Sequence, residues 1–365
     1  MRPVGITDRL LMGPGPSNPY PAVAMALAGP VLGHLDPDFL AILDETNDDL
    51  RRVFATSNAL TLPVSGTGSA GMEASFVTFV RPGDPVVIGV NGVFGERMCD
   101  VAERLGADVI RVDAPWGEPL DPAAVLAAHS APALIAVVHA ETSTGVRNDI
   151  APLGAGKGDA LLLVDMVTSL GGIEVAVDDW GVDVAYSGTQ KCLGVPPGLA
   201  PLTVSEQALE RLVARPSSWY LDLNLLARYV NDPSTGARVY HHTAPVVMVA
   251  ALRAGLGTIL EEGLKDSWER HAECGRLLQD GLVDLGLELL VAPEHRLPQL
   301  TTVRIPDGIE DAVVRRELLF TYGIEIGAGA GQLAGQIWRI GCMGHTARRR
   351  NVFALLGALK EVLGR

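Results

Sequence analysis

The chain has 365 residues, of which 48% are hydrophobic and 20% charged, a composition typical of a folded globular protein. Its formal net charge of -14 disfavours a nucleic-acid partner, because neutralising phosphates requires clustered Lys and Arg. No apolar run approaches the ~18 residues of a membrane helix, and the N-terminus does not resemble a signal peptide. Since its 4 cysteines are widely spaced, we expect a cytoplasmic protein with no membrane partner.

Short apolar runs alternate with helical stretches over the first half of the chain. Several of the runs are apolar throughout, which indicates strands buried on both faces of a parallel sheet. The predicted strands are 59–63, 85–90, 108–112, 133–139, 160–164 and 182–186, and the helices between them include 70–80 and 95–105. Strand, helix and strand in succession are typical of an α/β domain.

The pattern changes after residue 204. We predict a helix over 245–262 that ends at Gly263, and a second helix that begins with a capping box of Asp266 and Glu269. The remaining predicted elements are a strand at 299–305, a helix at 311–322, a strand at 336–340 and a helix at 347–363. The predicted organisation is an N-terminal arm over 1–20, a large α/β domain over 21–255 and a small α+β domain over 256–365.

The sequence SGTGSAG at 65–71 follows an apolar strand and begins a helix. Small residues allow the backbone to close around an anion, and the first N–H groups of a helix favour a phosphate. The spacing of Gly66, Gly68 and Gly71 also matches a dinucleotide fingerprint, which requires an acidic residue after the next strand. Because Asn91 follows that strand, we predict a phosphate site; a glycine-rich turn without a ligand is the alternative.

Two further residues have the chemistry of a cofactor site. Asp165 ends an apolar strand, where its carboxylate either faces the ligand crevice of an α/β sheet or caps the next turn. Lys191, in the loop 187–191, is either an exposed charge or a Schiff-base nucleophile. Taken together, the three features suggest pyridoxal phosphate, with the helix start for its phosphate, Asp165 for its ring nitrogen and Lys191 for its aldehyde.

Segments in the same order along almost the whole chain resemble class-V aminotransferases of fold type I, in the alanine–glyoxylate and serine–pyruvate group. These segments are GPGPSN at 13–18, GHLDPDF at 33–39, SGTGSAGME at 65–73, NGVFG at 91–95, ETSTG at 141–145, VDMVTSLGG at 164–172, SGTQK at 187–191, PPG at 196–198, YHHT at 240–243 and WRIG at 338–341. The resemblance implies a large domain with a mostly parallel sheet, a smaller C-terminal domain, pyridoxal 5'-phosphate as cofactor and a homodimer with its sites at the subunit interface.

The resemblance also implies roles for individual residues. Lys191 would bind the cofactor covalently and move the substrate proton, and Asp165 would keep the ring nitrogen protonated. The other implied positions are Thr67, Gly68, Ser69 and Gln190 at the phosphate, Thr142 near the ring oxygen, Phe94 on the ring face, Tyr240 and Thr243 at the phosphate of the neighbouring subunit, and Arg339 at the substrate carboxylate. Small residues around Gly33 indicate a modest substrate pocket.

Other reactive side chains are assigned no catalytic role. His241 and His242 are adjacent, and neighbouring residues on a strand point to opposite faces, so we predict no metal site there. Cys192 is interpreted as a small packing residue. For Cys342, which closely follows Arg339, a reactive role stays open.

The predicted function is amino transfer from a small amino acid of the alanine or serine type to a 2-oxo acid such as glyoxylate or pyruvate, with ping-pong kinetics. Three alternatives stay open. They are another pyridoxal phosphate enzyme on the same scaffold (a β-lyase, a desulfurase or a transaminase of a specialised amine), a nicotinamide-dependent oxidoreductase, and a binding protein without activity. The sequence does not identify the amino donor.

Overall fold

A computed structural model describes residues 7–230 and 238–364. The helices are α1 Pro21–Leu27, α2 Pro37–Phe54, α3 Gly68–Phe79, α4 Val93–Arg104, α5 Pro122–Ala127, α6 Ala151–Gly156, α7 Glu206–Leu209, α8 Leu223–Val230, α9 Val246–Glu262, α10 Leu264–Asp284, α11 Asp311–Thr321 and α12 Arg349–Val362. The strands are β1 Leu10–Leu11, β2 Leu60–Ser65, β3 Pro85–Val90, β4 Asp108–Asp113, β5 Leu134–Val138, β6 Ala140–Glu141, β7 Val146–Arg147, β8 Leu161–Asp165, β9 Val184–Tyr186, β10 Leu199–Val204, β11 Leu300–Arg304, β12 Ile324–Glu325, β13 Gly327–Ala328 and β14 Ile337–Gly341. Among these helices, none is both long and apolar enough to cross a membrane.

The central feature is a seven-stranded sheet with the strand order β2-β10-β9-β8-β5-β3-β4. Strand β10 runs antiparallel to both of its neighbours, and all the other pairings are parallel. Every residue of β5, β8, β9 and β10 is buried, as expected for strands that are covered on both faces. The prediction of an α/β fold with a mostly parallel sheet is confirmed.

Alternation along the strands divides the core between the two faces of the sheet. Along β8, Leu162 and Val164 pack in the cluster that also includes side chains of α1, α2 and α9. Leu161 and Leu163 pack in the opposite cluster, with side chains of α3, α4 and α8. Helices thus cover both faces of the sheet, and polar residues lie at the ends of its strands.

All six predicted strands of the sheet are present, with ends shifted by one or two residues. Strand β10 is not among the predicted strands; it contains Pro201, which lacks a backbone N–H for the ladder. The register places Pro201 of β10 directly opposite Pro63 of β2, so the two prolines occupy partner positions in one antiparallel pair.

The C-terminal lobe contains a three-stranded antiparallel sheet, in the order β11-β14-β13, packed with α10, α11 and α12. The N-terminal arm joins this lobe, because Leu10 pairs in parallel with Ile324 and Met12 is buried in the same core. Residue 255, our predicted boundary between the domains, lies inside α9. The position of that boundary stays a prediction.

The predicted capping box at the start of α10 is wrong. The helix begins at Leu264, and its N-cap is Gly263 with a φ of 96°, a conformation that glycine adopts readily. This backbone lets α10 begin directly where α9 ends. Asp266 therefore lies within the first turn, where the positive end of the helix dipole stabilises its carboxylate.

Candidate active site

Asp165 and Lys191 meet at the carboxyl edge of the central sheet. Asp165 ends β8, and Lys191 follows the neighbouring strand β9. The Asp165 side chain is buried, and its oxygens accept hydrogen bonds from the Tyr186 hydroxyl at 2.7 Å and the Val167 N–H at 2.8 Å. Burial raises the pKa of the Asp165 carboxyl to about 6, and the two hydrogen bonds oppose that rise. Asp165 is thus a buried acceptor, and one of its oxygens also caps the following turn through the Val167 N–H.

We did not assign a role to Tyr186 from the sequence. Tyr186 in β9 is the register partner of Asp165 in β8, and this pairing places the tyrosine hydroxyl beside the carboxylate. The signal for this contact is the register of two strands that are distant along the chain, so a single sequence does not contain it.

Lys191 is 7% exposed, and its amine donates a hydrogen bond to the carbonyl oxygen of Pro14 in the N-terminal arm. The side chain passes closely over Gly15, where a Cβ atom would lie 2.7 Å from the lysine Cδ. Gly15 also has a φ of 111°, so glycine is required there on both grounds. Burial, and then the positive charge of Arg339, lower the pKa of the Lys191 amine to about 8. A larger neutral fraction makes this amine a better nucleophile.

Arg339 extends from β14 of the small lobe toward the large lobe. Its Nε donates to the Ala328 carbonyl at 2.7 Å, and a terminal nitrogen lies 3.4 Å from the Thr142 carbonyl. The first bond fixes the plane of the guanidinium, and the second directs it at the turn that carries Thr142. A guanidinium held in one plane is suited to a carboxylate ligand.

The loop after β2 has the geometry of a phosphate site. Gly66 has a φ of 138°, and Thr67, the N-cap of the 12-residue helix α3, makes no side-chain capping bond. Gly68 packs so closely that an added Cβ would lie 2.9 Å from Val167. Gln190, which is also predicted to bind the phosphate, has a buried amide oxygen without a hydrogen-bond partner. A helix start of this kind favours an anion.

Phe94 and Ser69 lie close together through a shared contact with Arg97. The Arg97 guanidinium lies 4.9 Å from the centre of the Phe94 ring, and one of its nitrogens donates to the Ser69 hydroxyl at 3.2 Å. Phe94 itself is half-buried at the start of α4. The predicted ring-stacking residue therefore lies beside the predicted phosphate loop.

Gly33, Tyr240 and Thr243 lie elsewhere on the chain's surface. The Tyr240 hydroxyl is 3.2 Å from the Thr243 hydroxyl, and the Tyr240 ring packs against His34, next to Gly33. Among the described residues, these contacts join the three positions to one another and not to Lys191. Tyr240 is 55% exposed, which leaves its side chain free to enter a second subunit.

The two adjacent histidines are in contact, so our argument that they point to opposite faces is wrong. They lie in a loop, with their Nδ1 atoms 2.9 Å apart. Since the Trp219 carbonyl can only accept, His241 donates to it from Nε2 and accepts at Nδ1 from His242. His242 then accepts at Nε2 from the Ser65 hydroxyl, at 2.7 Å. Neutral imidazoles therefore satisfy this chain of bonds, and no group of three or more potential metal ligands occurs among the described residues.

Cys192 and Cys342 are buried thiols with suppressed acidity. Burial raises the pKa of Cys192 to about 12 and shifts the pKa of Cys342 in the same direction. The Cys192 sulfur also contacts the Thr168 carbonyl oxygen at 3.3 Å. Because the thiolate is the nucleophilic form, both residues act as packing groups in this environment.

The fold and the site together define a class: an α/β enzyme of fold type I, with a lysine and an aspartate beside a phosphate-type helix start. The family model of the class-V aminotransferases matches residues 25–345, and the chain belongs to that family. Its structure is similar to an alanine–glyoxylate aminotransferase from Nostoc sp., with a TM-score of 0.96 and 48% identity over 100% of this chain and 97% of that one.

Two further relatives cover nearly the full length of both chains. A ureidoglycine–glyoxylate aminotransferase from Bacillus subtilis has a TM-score of 0.95 and 40% identity, over 100% of this chain and 95% of that chain. An alanine–glyoxylate aminotransferase from Drosophila melanogaster is 39% identical over 371 residues, which cover 99% of this chain and 94% of the relative.

Replacing Tyr186 with Phe removes the hydroxyl that stabilises the Asp165 carboxylate. We expect the pKa of Asp165 to rise above about 6 in the cofactor-free protein, because a hydrogen bond to the charged form is lost. Carboxyl ¹³C NMR of aspartate-labelled protein measures this titration, with Asp165→Asn to assign the resonance.

The matched control is Tyr229→Phe, which removes a buried hydroxyl that has no hydrogen-bond partner. It should leave the Asp165 titration unchanged. An unchanged Asp165 pKa in Tyr186→Phe would show that the hydroxyl does not support the carboxylate.

Proposed function

We propose that this chain is a pyridoxal phosphate-dependent aminotransferase that moves an amino group from a small amino acid to glyoxylate or pyruvate, with ping-pong kinetics. The observation that carries the proposal is the buried Lys191 amine, with its lowered pKa, beside the buried Asp165 carboxylate. When bound, the cofactor supplies an aldehyde for an amine to attack and a ring that accepts electrons.

The residues of the site fit that cofactor. The start of α3, with Thr67, Gly68 and Ser69, would hold the phosphate, and the side-chain N–H groups of Gln190 would donate to it. Asp165 would face the ring nitrogen at the opposite end of the ring. Phe94 would cover the ring face, and Thr142 would lie at the ring oxygen. These are the roles that the resemblance to the class-V aminotransferases implies.

Each ionisable group has a protonation state suited to this work. With a pKa about 6, Asp165 is mostly ionised at neutral pH and can hold a proton on the ring nitrogen. With a pKa about 8, Lys191 exchanges protons near neutral pH and can take one from the substrate Cα and return it. Arg339 would bind the substrate carboxylate in two parallel hydrogen bonds and so orient the Cα–H toward Lys191.

We further propose a homodimer in which Tyr240 and Thr243 reach the phosphate of the neighbouring subunit. Within one chain, the phosphate loop is open, because Thr67 and Ser69 are both exposed. Large apolar side chains are also exposed near Tyr240 in sequence or space, and an exposed apolar surface of this kind marks an interface. They are Leu35, which follows His34, and Trp219 and Tyr220, which pack against His241. Gly33 belongs to the same surface and would border the substrate pocket of the partner.

We place the enzyme in the cytoplasm, with small amino acids and 2-oxo acids as its other partners. All 4 cysteines are free and buried, as is usual in a reducing compartment. Against the nicotinamide alternative, the Asn91 amide is bound to Asn148 at 2.9 Å and to the Glu118 carbonyl at 2.9 Å. Asn91 is therefore engaged in the protein and offers no carboxylate to a ribose.

Lys191→Ala should abolish turnover while the protein still binds pyridoxal phosphate through the phosphate loop. Borohydride reduction of the wild-type holoenzyme, followed by peptide mass spectrometry, should find the cofactor attached to Lys191. The control is Lys265→Ala, which removes an exposed lysine and should retain full activity. A reduced adduct on another residue, or full activity of Lys191→Ala, would exclude the proposed role.

Mixed dimers test the shared site. We expect Lys191→Ala dimers and Tyr240→Ala/Thr243→Ala dimers each to be inactive or strongly impaired. After the two variants are unfolded and refolded together, heterodimers should contain one complete site, and activity should return to about a quarter of wild type. Activity that does not return, although mass spectrometry detects heterodimers, would contradict the shared site.

A further inference from the structure

Glu141 is a fully buried carboxylate at the site, and the function proposed above does not use it. It ends the short strand β6 and is 0% exposed. One of its oxygens accepts from the N–H of Ser143 at 3.0 Å and from the Ser143 hydroxyl at 2.6 Å. The other oxygen accepts from the Phe94 N–H at 3.2 Å. Its hydrogen-bond partners thus belong to its own turn and to the start of α4.

Glu141 and Ser143 together cap α4 from a distant part of the chain. The N-cap of this helix is Gly92, which has no side chain to receive the first N–H groups. The Val93 N–H instead donates to the Ser143 hydroxyl at 2.9 Å, and the Phe94 N–H donates to Glu141, 47 residues further along. A negative charge at this position also interacts favourably with the positive end of the helix dipole.

The packing allows little freedom around this contact. A Cβ atom at position 92 would lie 2.4 Å from the Glu141 carboxyl carbon, so the carboxylate occupies the space that the glycine leaves. Phe94 lies within this capped turn, and the residue after Glu141 is Thr142. One carboxylate therefore joins the two segments that carry the predicted ring-stacking and ring-oxygen residues.

Glu141 also belongs to the charge set of the site. Lys191 is a buried cation of the site, Arg339 is a half-buried one, and Asp165 is a second buried carboxylate. Arg339 reaches the carbonyl of Thr142, the residue after Glu141, at 3.4 Å. Burial raises the pKa of the Glu141 carboxyl, and the hydrogen bonds from Ser143 and the Phe94 N–H oppose that rise. In its ionised form, Glu141 raises the pKa of Lys191, Arg339 and Asp165. With Glu141 removed, two cations would face one carboxylate in a region that is poorly solvated.

We propose that Glu141 is a positioning residue for amino transfer: its carboxylate fixes Phe94 and Thr142 by capping α4, and its charge balances the second cation of the site. The charge role rests on the proposed function, since it concerns the amine of Lys191 that binds the cofactor. The capping role concerns the cofactor-free protein. Two variants separate these roles. Glu141→Gln keeps the side-chain length and the acceptor oxygen but loses the charge. Glu141→Asp keeps the charge on a side chain that is too short to cap the helix.

The first measurement is hydrogen exchange at the amides of Val93 and Phe94 in the cofactor-free protein. We expect exchange about fivefold faster or more in Glu141→Asp, because its shorter side chain withdraws the acceptor from the Phe94 N–H, and near-wild-type exchange in Glu141→Gln, whose amide oxygen still reaches it. Glu96→Gln is the matched control: Glu96 lies in the first turn of the same helix, but it is exposed and pairs with Arg111. It should exchange at the wild-type rate at these two amides.

The second measurement is the rate at which pyridoxal phosphate combines with Lys191, followed against pH. The midpoint of this dependence reports the amine pKa, about 8 in the wild type. We expect it to fall by about half a pH unit or more in Glu141→Gln and to stay near wild type in Glu141→Asp and Glu96→Gln.

Wild-type exchange at both amides in Glu141→Asp overturns the capping role. An unchanged midpoint in Glu141→Gln overturns the charge role. If wild-type Lys191 forms no bond with pyridoxal phosphate at any pH, the proposed function fails instead, and the exchange measurement still decides the capping role. If Glu141→Gln does not fold, Glu141→Asp tests the proposal. It must then show faster amide exchange with an unchanged midpoint of the pH dependence.

Discussion

The site depends on keeping a lysine amine buried and partly neutral. Water would stabilise the ammonium form, so the fold removes water by covering Lys191 with the arm around Pro14 and Gly15. The positive charge of Arg339 acts in the same direction. An amine in this state is both a nucleophile and a proton carrier near neutral pH, which are the two properties that amino transfer requires of it.

The rest of the structure holds the groups that this amine needs at fixed positions. Adjacent strands β8 and β9 bring Asp165 and Lys191 to one edge, and Tyr186 supports the carboxylate from within the sheet. The small lobe contributes Arg339 through β14. Because the arm pairs with the small lobe and also covers Lys191, it connects the lobe that carries Arg339 to the buried amine. The charges of these groups come from separate elements, so the site forms only when the lobes are assembled.

The sequence predicts local features of this protein well and its distant contacts poorly. Apolar runs identify the parallel strands, since burial on both faces has a direct signature in composition. Strand β10 is the exception, since its run of buried residues is not predicted as a strand. Lys191, Asp165 and the start of α3 are predictable because each directly follows or ends an apolar strand.

The contacts of Tyr186, Glu141 and the histidine pair depend on residues far apart along the chain. Register between strands decides the first, and the packing of a turn against a helix start decides the second. For His241 and His242, the expectation of opposite faces assumed a strand, whereas the loop backbone turns the two rings together. In each case, the tertiary fold supplies a partner that local periodicity does not encode.

The central claim is that this site takes an amino group from a donor and holds it before any acceptor is present. The direct measurement is the absorption spectrum of the protein loaded with pyridoxal phosphate, recorded before and after adding one amino acid without a 2-oxo acid. The account predicts a yellow protein whose visible band is replaced by the near-ultraviolet band of pyridoxamine phosphate with alanine, serine or ureidoglycine, together with one equivalent of oxo product per site. A protein that stays colourless after loading, or a yellow one that releases ammonia from these donors and keeps its band, would contradict it.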